Sequence, residues 1–136
     1  PLTIKNCLIN RNIPIYGSGK NKREWIFVDD HSSIVSKILK KKFVGNSYNI
    51  GSGFEIENIQ LVKKICNYIQ SKYPKKNKYI NLIKFVKDRQ GHDYRYKVNS
   101  KKIMKKIGSY NFKSFDYNLF KTIDWYLVNK KWLLRK

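Results

Sequence analysis

The stretch IPIYGSGKNKREWIFVDDH, residues 13–31, decides how the rest of the chain is read. It begins with a short apolar run, Ile13, Pro14, Ile15 and Tyr16, which meets a turn at Gly17, Ser18 and Gly19. A cationic segment follows, from Lys20 through Lys22 to Arg23. Residues 25–28 are rich in aromatic and β-branched side chains and predict a second strand, and Asp29, Asp30 and His31 read as the opening of a helix. A polar turn between two β-prone runs is the grammar of a hairpin or a crossover. Arg23 stands at the mouth of the second strand, where its rigid fork of donors suits a diphosphate or a carboxylate.

Working outward, residues 1–11 read as the remainder of a helix with Ile4, Leu8 and Ile9 on one side. Residues 31–42 predict a helix with Ile34, Val35, Ile38 and Leu39 inward, capped by Asp29 or Asp30. Residues 47–50 predict a short strand ended by Gly51, Ser52 and Gly53. Asn58 then caps a helix running to Tyr73, with a stripe of Leu61, Val62, Ile65, Cys66 and Ile69. Pro74 breaks it. Residues 79–86 are the longest strand candidate, 87–93 a polar loop, and 94–98 an alternating strand. A short helix from Ser100 turns Ile103, Met104 and Ile107 inward and stops at Gly108. Residues 115–129 predict a last helix with Leu119, Phe120, Ile123, Tyr126 and Leu127 facing the core. The pattern is α/β: a small mixed sheet with flanking helices, in one domain over residues 1–136.

The 136 residues suffice for one core, and 41% hydrophobic content excludes a disordered tail. No run approaches the ~20 apolar residues of a membrane span. PLTIKNCLIN lacks the basic start and long apolar block of a signal peptide, and a first residue that is Pro rather than Met leads us to expect a processed chain or a fragment. Cys7 and Cys66 have no CxxC partner and no metal-spaced His. Cys66 lies on an apolar stripe, so a buried reduced thiol in a reducing, cytoplasmic compartment is expected.

A net charge of +21 raises nucleic acid or an anionic membrane as partners. The cations are mostly Lys and spread along the whole chain, and the sequence has no Ala while Lys, Asn, Ile, Tyr and Phe abound. That is the signature of drift in an AT-rich genome. Pairs such as Lys40-Lys41 and Lys105-Lys106 fall at predicted helix ends, where cations suit the dipole. A solvated surface, with no specific nucleic acid and no membrane partner, accounts for them.

Two Gly-x-Gly turns fail the dinucleotide fingerprint, because the place of the third Gly holds Lys22 after the first and Ile56 after the second. No metal set, paired acids or Ser-His-Asp arrangement stands out. His31 reads as capping or packing. The charged loop with Asp88, Arg89, Gln90, Gly91, His92 and Asp93 is either solvated or able to close over an anion. Spacing alone stops at an α/β domain with anion-binding loops.

The succession PIYGSGKNKREWIFVDDH, SYNIGSGFEIEN, FVKDRQGHDYRYKVNSKKI and KTIDWYLVNKKW resembles, in order and over essentially the whole chain, the C-terminal part of the dTDP-glucose 4,6-dehydratases, extended short-chain dehydrogenases/reductases acting on nucleotide sugars. The resemblance implies an NAD-dependent lyase that oxidises the sugar at C4, eliminates water across C5 and C6, and returns the hydride to C6. It implies substrate contacts at Pro14, Ile15 and Tyr16, at Arg23, at Asn49, and at Asp88, Arg89, Gln90, Gly91 and His92. Arg23 would grip the diphosphate, Tyr16 would lie near the thymine, Asn49 would donate an amide hydrogen bond, and Arg89 with His92 would close from the other side.

Two departures stand out: Glu24 replaces the usual Asp, and Gln90 the usual Pro, which loosens the loop. The N-terminal Rossmann half, with the glycine fingerprint, the Tyr-x-x-x-Lys pair and the acids of the elimination, has no counterpart here. We therefore expect a substrate-binding portion that is inert alone, with that half and dTDP-glucose as partners, NAD held by the half, and a homodimer for the full enzyme. Residues 47–50 would add a strand to that half's large parallel sheet. A portion of a related nucleotide-sugar epimerase or decarboxylase, and a basic nucleic-acid-binding module, stay open as alternatives.

Overall fold

Leu61, Val62, Ile65, Cys66 and Ile69 recur at helical spacing, and all five are buried on one face of α3 (Asn58–Lys72). In this computed structural model, which describes residues 1–43 and 45–135, that face is the centre of the main core. Helix α1 (Leu2–Leu8) packs across it through Ile4 and Cys7, and α5 (Phe115–Val128) through Ile123 and Leu127. Strand β1 (Ile13–Tyr16) adds Ile13 and Ile15, while Pro14 and Tyr16 turn outward, the alternation a strand with one buried face requires. Cys7 and Cys66 are free and buried; the neighbouring Cys66 thiol and burial push the Cys7 thiol up, so it stays protonated.

Strand β2 (Lys22–Glu24) pairs antiparallel with β3 (Glu55–Glu57) and parallel with β5 (Arg95–Tyr96), while β1 pairs parallel with β4 (Ile83–Val86) in a separate two-stranded sheet. The expected class, α/β with small mixed sheets and flanking helices, is what the chain has. A second, smaller cluster of Ile34, Ile103 and Ile107 lies between α2 (Val28–Lys40) and α4 (Lys101–Ile107). The buried Asp30 carboxylate ties the two regions, accepting from the Tyr110 hydroxyl at 2.9 Å and from Asn118 Nδ2 at 3.3 Å.

Several expectations are corrected. Residues 25–28 are not a strand: residues 25–27 are irregular and Val28 already begins α2. The strand lies earlier, at Lys22–Glu24, because backbone pairing on both sides holds it there. Neither Asp29 nor Asp30 caps α2. Phe27 occupies the cap position, and the two acids sit in the first turn beside the helix dipole. Asn58 is likewise the first helical residue of α3 and not its cap.

Residues 47–50 form no strand, since no neighbour offers them a ladder; Tyr48 and Ile50 pack against the smaller cluster instead. The first half of residues 79–86 is a 3-10 turn (Tyr79–Leu82), which leaves Ile83–Val86 as strand. Of residues 94–98 only Arg95–Tyr96 pair. Ile9 and Leu39 are exposed. Beyond the expected helices, α6 (Lys130–Leu134) follows α5, and Ser114 Oγ caps α5 by accepting from Tyr117 N at 3.3 Å.

Candidate functional site

Parallel pairing places the carboxyl ends of β1 and β4 together, with Tyr16 opposite Val86. Such ends are where open α/β folds present ligand loops. Gly17 N extends the ladder by donating to Val86 O at 3.0 Å. Gly17 has φ +56°, and a Cβ there would lie 2.6 Å from Asp88 Oδ2, so the turn needs glycine for conformation and for space.

Asp88 organises the loop that follows β4. Its Oδ1 accepts from Arg89 N at 2.9 Å and meets His92 Nδ1 at 2.7 Å. The bond to His92, helped by that to Arg89 N, holds the Asp88 carboxyl below the usual carboxylate range. The His92 side chain is only 6% exposed, and its ring meets Tyr16 edge-on at 6.3 Å between centroids. Tyr16 itself is 49% exposed and offers a face to solvent.

The far end of the loop is bound to Arg23. Its Nη1 donates to Lys22 O at 2.7 Å and to Tyr94 O at 3.4 Å, and its Nη2 to Asp93 O at 2.9 Å. The Tyr96 ring lies 4.5 Å beneath the guanidinium carbon. Tyr96 in turn donates its hydroxyl to the Asp93 carboxylate, a bond that raises the phenol. Asn21 Nδ2 donates to Asp93 O at 3.2 Å. Arg23 is thus locked in place while its Nε–H has no protein partner among the described residues. A locked guanidinium with a free edge is a pre-organised anion donor.

The expected site residues divide into four sets. Tyr16, Asp88 and His92 are in direct contact, and Arg23 joins them through the loop's other end. Arg89, Gln90 and Gly91 form its exposed tip, with no hydrogen-bond partner for the Arg89 guanidinium among the described residues. Pro14 is half-buried, but Ile15 points into the main core, so only its backbone is available to a ligand. Asn49 is exposed and makes no hydrogen bond among the described residues, so nothing here brings it against the other candidates. Sequence reading missed Asn21, Asp93, Tyr94 and Tyr96 as the partners that fix Arg23, because no local pattern announces contacts between such distant segments.

Neither Gly-x-Gly turn fits a pyrophosphate. Gly17 faces the Asp88 carboxylate and Gly51 the Glu24 carboxylate, and both would repel it. Among the described residues no cluster of His, Cys, Asp or Glu could hold a metal ion, and no helix is long and apolar enough to cross a membrane. An apolar groove of about 700 Å³, lined by Leu2, Trp25, Phe27, Phe54, Phe115 and Leu119, opens between α1, α5 and the segment entering α2.

The profile of the family described as GDP-mannose 4,6 dehydratase matches residues 1–118. The dTDP-glucose 4,6-dehydratase of Neisseria meningitidis serogroup B is 41% identical over 136 residues, covering 97% of this chain and 38% of that protein. The NAD-bound crystal structure of the Streptomyces venezuelae dTDP-glucose 4,6-dehydratase DesIV superposes with a TM-score of 0.84 at 32% identity, covering 97% of this chain and 39% of that one. The Bacillus anthracis dTDP-glucose 4,6-dehydratase in complex with NAD gives 0.82 at 34% identity, with 97% and 40% covered. The chain therefore spans about two fifths of the length of the relatives it matches.

Proposed function

We propose, starting from the fact that this chain belongs to the GDP-mannose 4,6-dehydratase family, that it forms the nucleotide-sugar-binding portion of a dTDP-glucose 4,6-dehydratase. The observation that carries this reading is the Arg23 guanidinium, fixed by carbonyls of the Asp93–Tyr94 segment and by the Tyr96 ring, with its Nε–H edge free. On this reading that edge takes the diphosphate of dTDP-glucose, the exposed Tyr16 ring lies against the thymine, and the tip of Arg89, Gln90 and Gly91 closes from the opposite side. Asp88 and His92 hold the tip's base, and Asn49 donates to the ligand from the segment before Gly51. Binding energy at the remote nucleotide is what positions the reacting sugar.

On the same reading the chemistry lies elsewhere. Hydride transfer requires NAD held against the sugar, and no residue of this chain is assigned to NAD. A companion nucleotide-binding half supplies it, and the uncovered apolar groove and the unladdered residues 47–50 support that partnership. The assembled enzyme is read as a cytoplasmic homodimer, which light scattering checks; two buried free thiols agree with a reducing compartment. The high charge does not by itself favour a nucleic-acid module, because the cations are mostly Lys and spread along the whole chain.

The test is calorimetric titration of the chain, combined with its nucleotide-binding half, with dTDP. Arg23→Ala weakens binding by about a hundredfold, the scale of a lost charge-assisted pair. Equal affinity in the variant, or displacement of dTDP-glucose by a UDP-sugar, overturns the reading.

A further inference from the structure

Glu24 follows Arg23 directly in β2, so the two side chains leave opposite faces of the strand. Its carboxylate makes no ion pair among the described residues. It accepts instead from two backbone amides of distant segments: Gly53 N donates to Oε1 at 2.6 Å and Val98 N to Oε2 at 2.9 Å. Gly51 is built around this contact, since a Cβ there would overlap the Glu24 carboxylate and the Val98 side chain. Gly51 is tied a second time, donating its N–H to Ser100 Oγ at 2.8 Å. Two residues upstream lies Asn49, in a segment with no ladder of its own. Asn49 is therefore held from two sides: by Tyr48 and Ile50 packed on the smaller cluster, and by the anchoring of residues 51–53, to which Glu24 contributes from the strand that carries Arg23.

We propose that Glu24 is a positioning residue: its carboxylate bridges the Gly53 and Val98 amides and thereby fixes the spacing between Arg23 and Asn49. The inference rests on the nucleotide-sugar reading above. A carboxylate with one oxygen per amide is a rigid strut, because each charge-assisted bond is short and directional. Glutamine keeps the length but turns one amide acceptor into a donor facing an N–H. Aspartate keeps both acceptors with a shorter reach.

Titration of the assembled protein with dTDP-glucose, in a cycle with Asn49→Ala, provides the test. In the parent protein Asn49→Ala weakens binding by about tenfold. In the Glu24→Gln background the same change weakens it by less than about twofold, since Asn49 no longer reaches the ligand. Arg23→Ala keeps its effect in both backgrounds. Hydrogen exchange of the Gly53 and Val98 amides speeds up in Glu24→Gln while α3 stays protected, and Glu24→Asp retains more of the Asn49 effect than Glu24→Gln. An Asn49→Ala loss of equal size in both backgrounds overturns the proposal. Should Glu24→Gln fail to fold, the comparison is made in Glu24→Asp, where an undiminished Asn49 loss with unchanged exchange at Gly53 and Val98 overturns it equally. If Arg23→Ala is itself silent, the nucleotide-sugar reading fails, whatever Glu24 does.

Discussion

The main core and the smaller cluster are built from the same side chains and to different standards. Around α3, side chains from α1, β1 and α5 enclose a large core, and the apolar groove between α1 and α5 leaves one side of it open. Around Ile34, Ile103 and Ile107 the enclosure is half made: Ile26, Ile38, Phe43, Tyr48, Ile50 and Met104 are only partly buried, and Val28 and Leu39 of α2 are 65% and 67% exposed. The first region is by far the larger core. The second has the apolar face of one side only, and it carries the segment that holds Asn49. Stability is therefore concentrated in the first region, while the candidate residues are shared: Tyr16 stands on β1 of the main core, and Asn49 on the segment packed against the smaller cluster.

Hydrogen exchange should expose this division most strongly. In the isolated chain the amides of Tyr48, Asn49 and Ile50 exchange about a thousandfold faster than those of Ile65 and Ile69 in α3. Equal protection would mean that the smaller cluster is as well closed as the main one.

Core truncation gives the next largest contrast. Ile69 and Ile103 are both fully buried. Ile69→Ala costs about 3–4 kcal/mol of unfolding free energy, because its neighbours are held on all sides and a cavity remains. Ile103→Ala costs about 2 kcal/mol, because a thin cluster collapses onto the space. Urea titrations followed by circular dichroism measure both, and equal costs would erase the distinction.

Gly17→Ala probes the border between the core and the loop. It forces a side chain into a left-handed conformation and against Asp88, costing about 1–2 kcal/mol. It also parts Asp88 from His92, which the imidazole proton resonances of His92 report.

The smallest effect is one of pH. Arg95 grips Glu55 with two bonds of 2.6 Å and, with Lys97, holds its carboxyl at about 2, below the ordinary 4.5. A depressed acid stabilises the fold above its unfolded-state value and loses that contribution as the carboxylate takes up a proton. Stability therefore falls between about pH 4.5 and pH 2, and Glu55→Gln flattens that part of the urea-midpoint curve. The pair is solvent-exposed, so the slope is shallow.

What could be read from the chain follows the same physical divide. The stripe of α3 and the inward residues of α5 were legible because burial imposes a 3.6-residue period on the sequence itself. Lys22, Arg23 and Glu24 carry no such mark. They are a strand only because β3 and β5 flank them, and the aromatic run beside them drew the strand forward onto residues 25–28. The loop over residues 87–93 was legible as a polar break between two strands. The bonds that fix Arg23, and the Glu24 strut, run between segments far apart along the chain, and nothing local encodes them.

Those separations bear on how the protein is made. Arg23 and Asn21 meet Asp93 across 70 and 72 residues, and Glu24 meets Val98 across 74. Contacts of such long range are slow to close and come late in assembly. A nascent chain still on the ribosome, with residues 93–96 not yet emerged, already displays Arg23 but lacks the Asp93 and Tyr94 carbonyls and the Tyr96 ring that aim it. The aim of Arg23 is therefore fixed only once residues 93–98 have joined the fold, after α3 has been made.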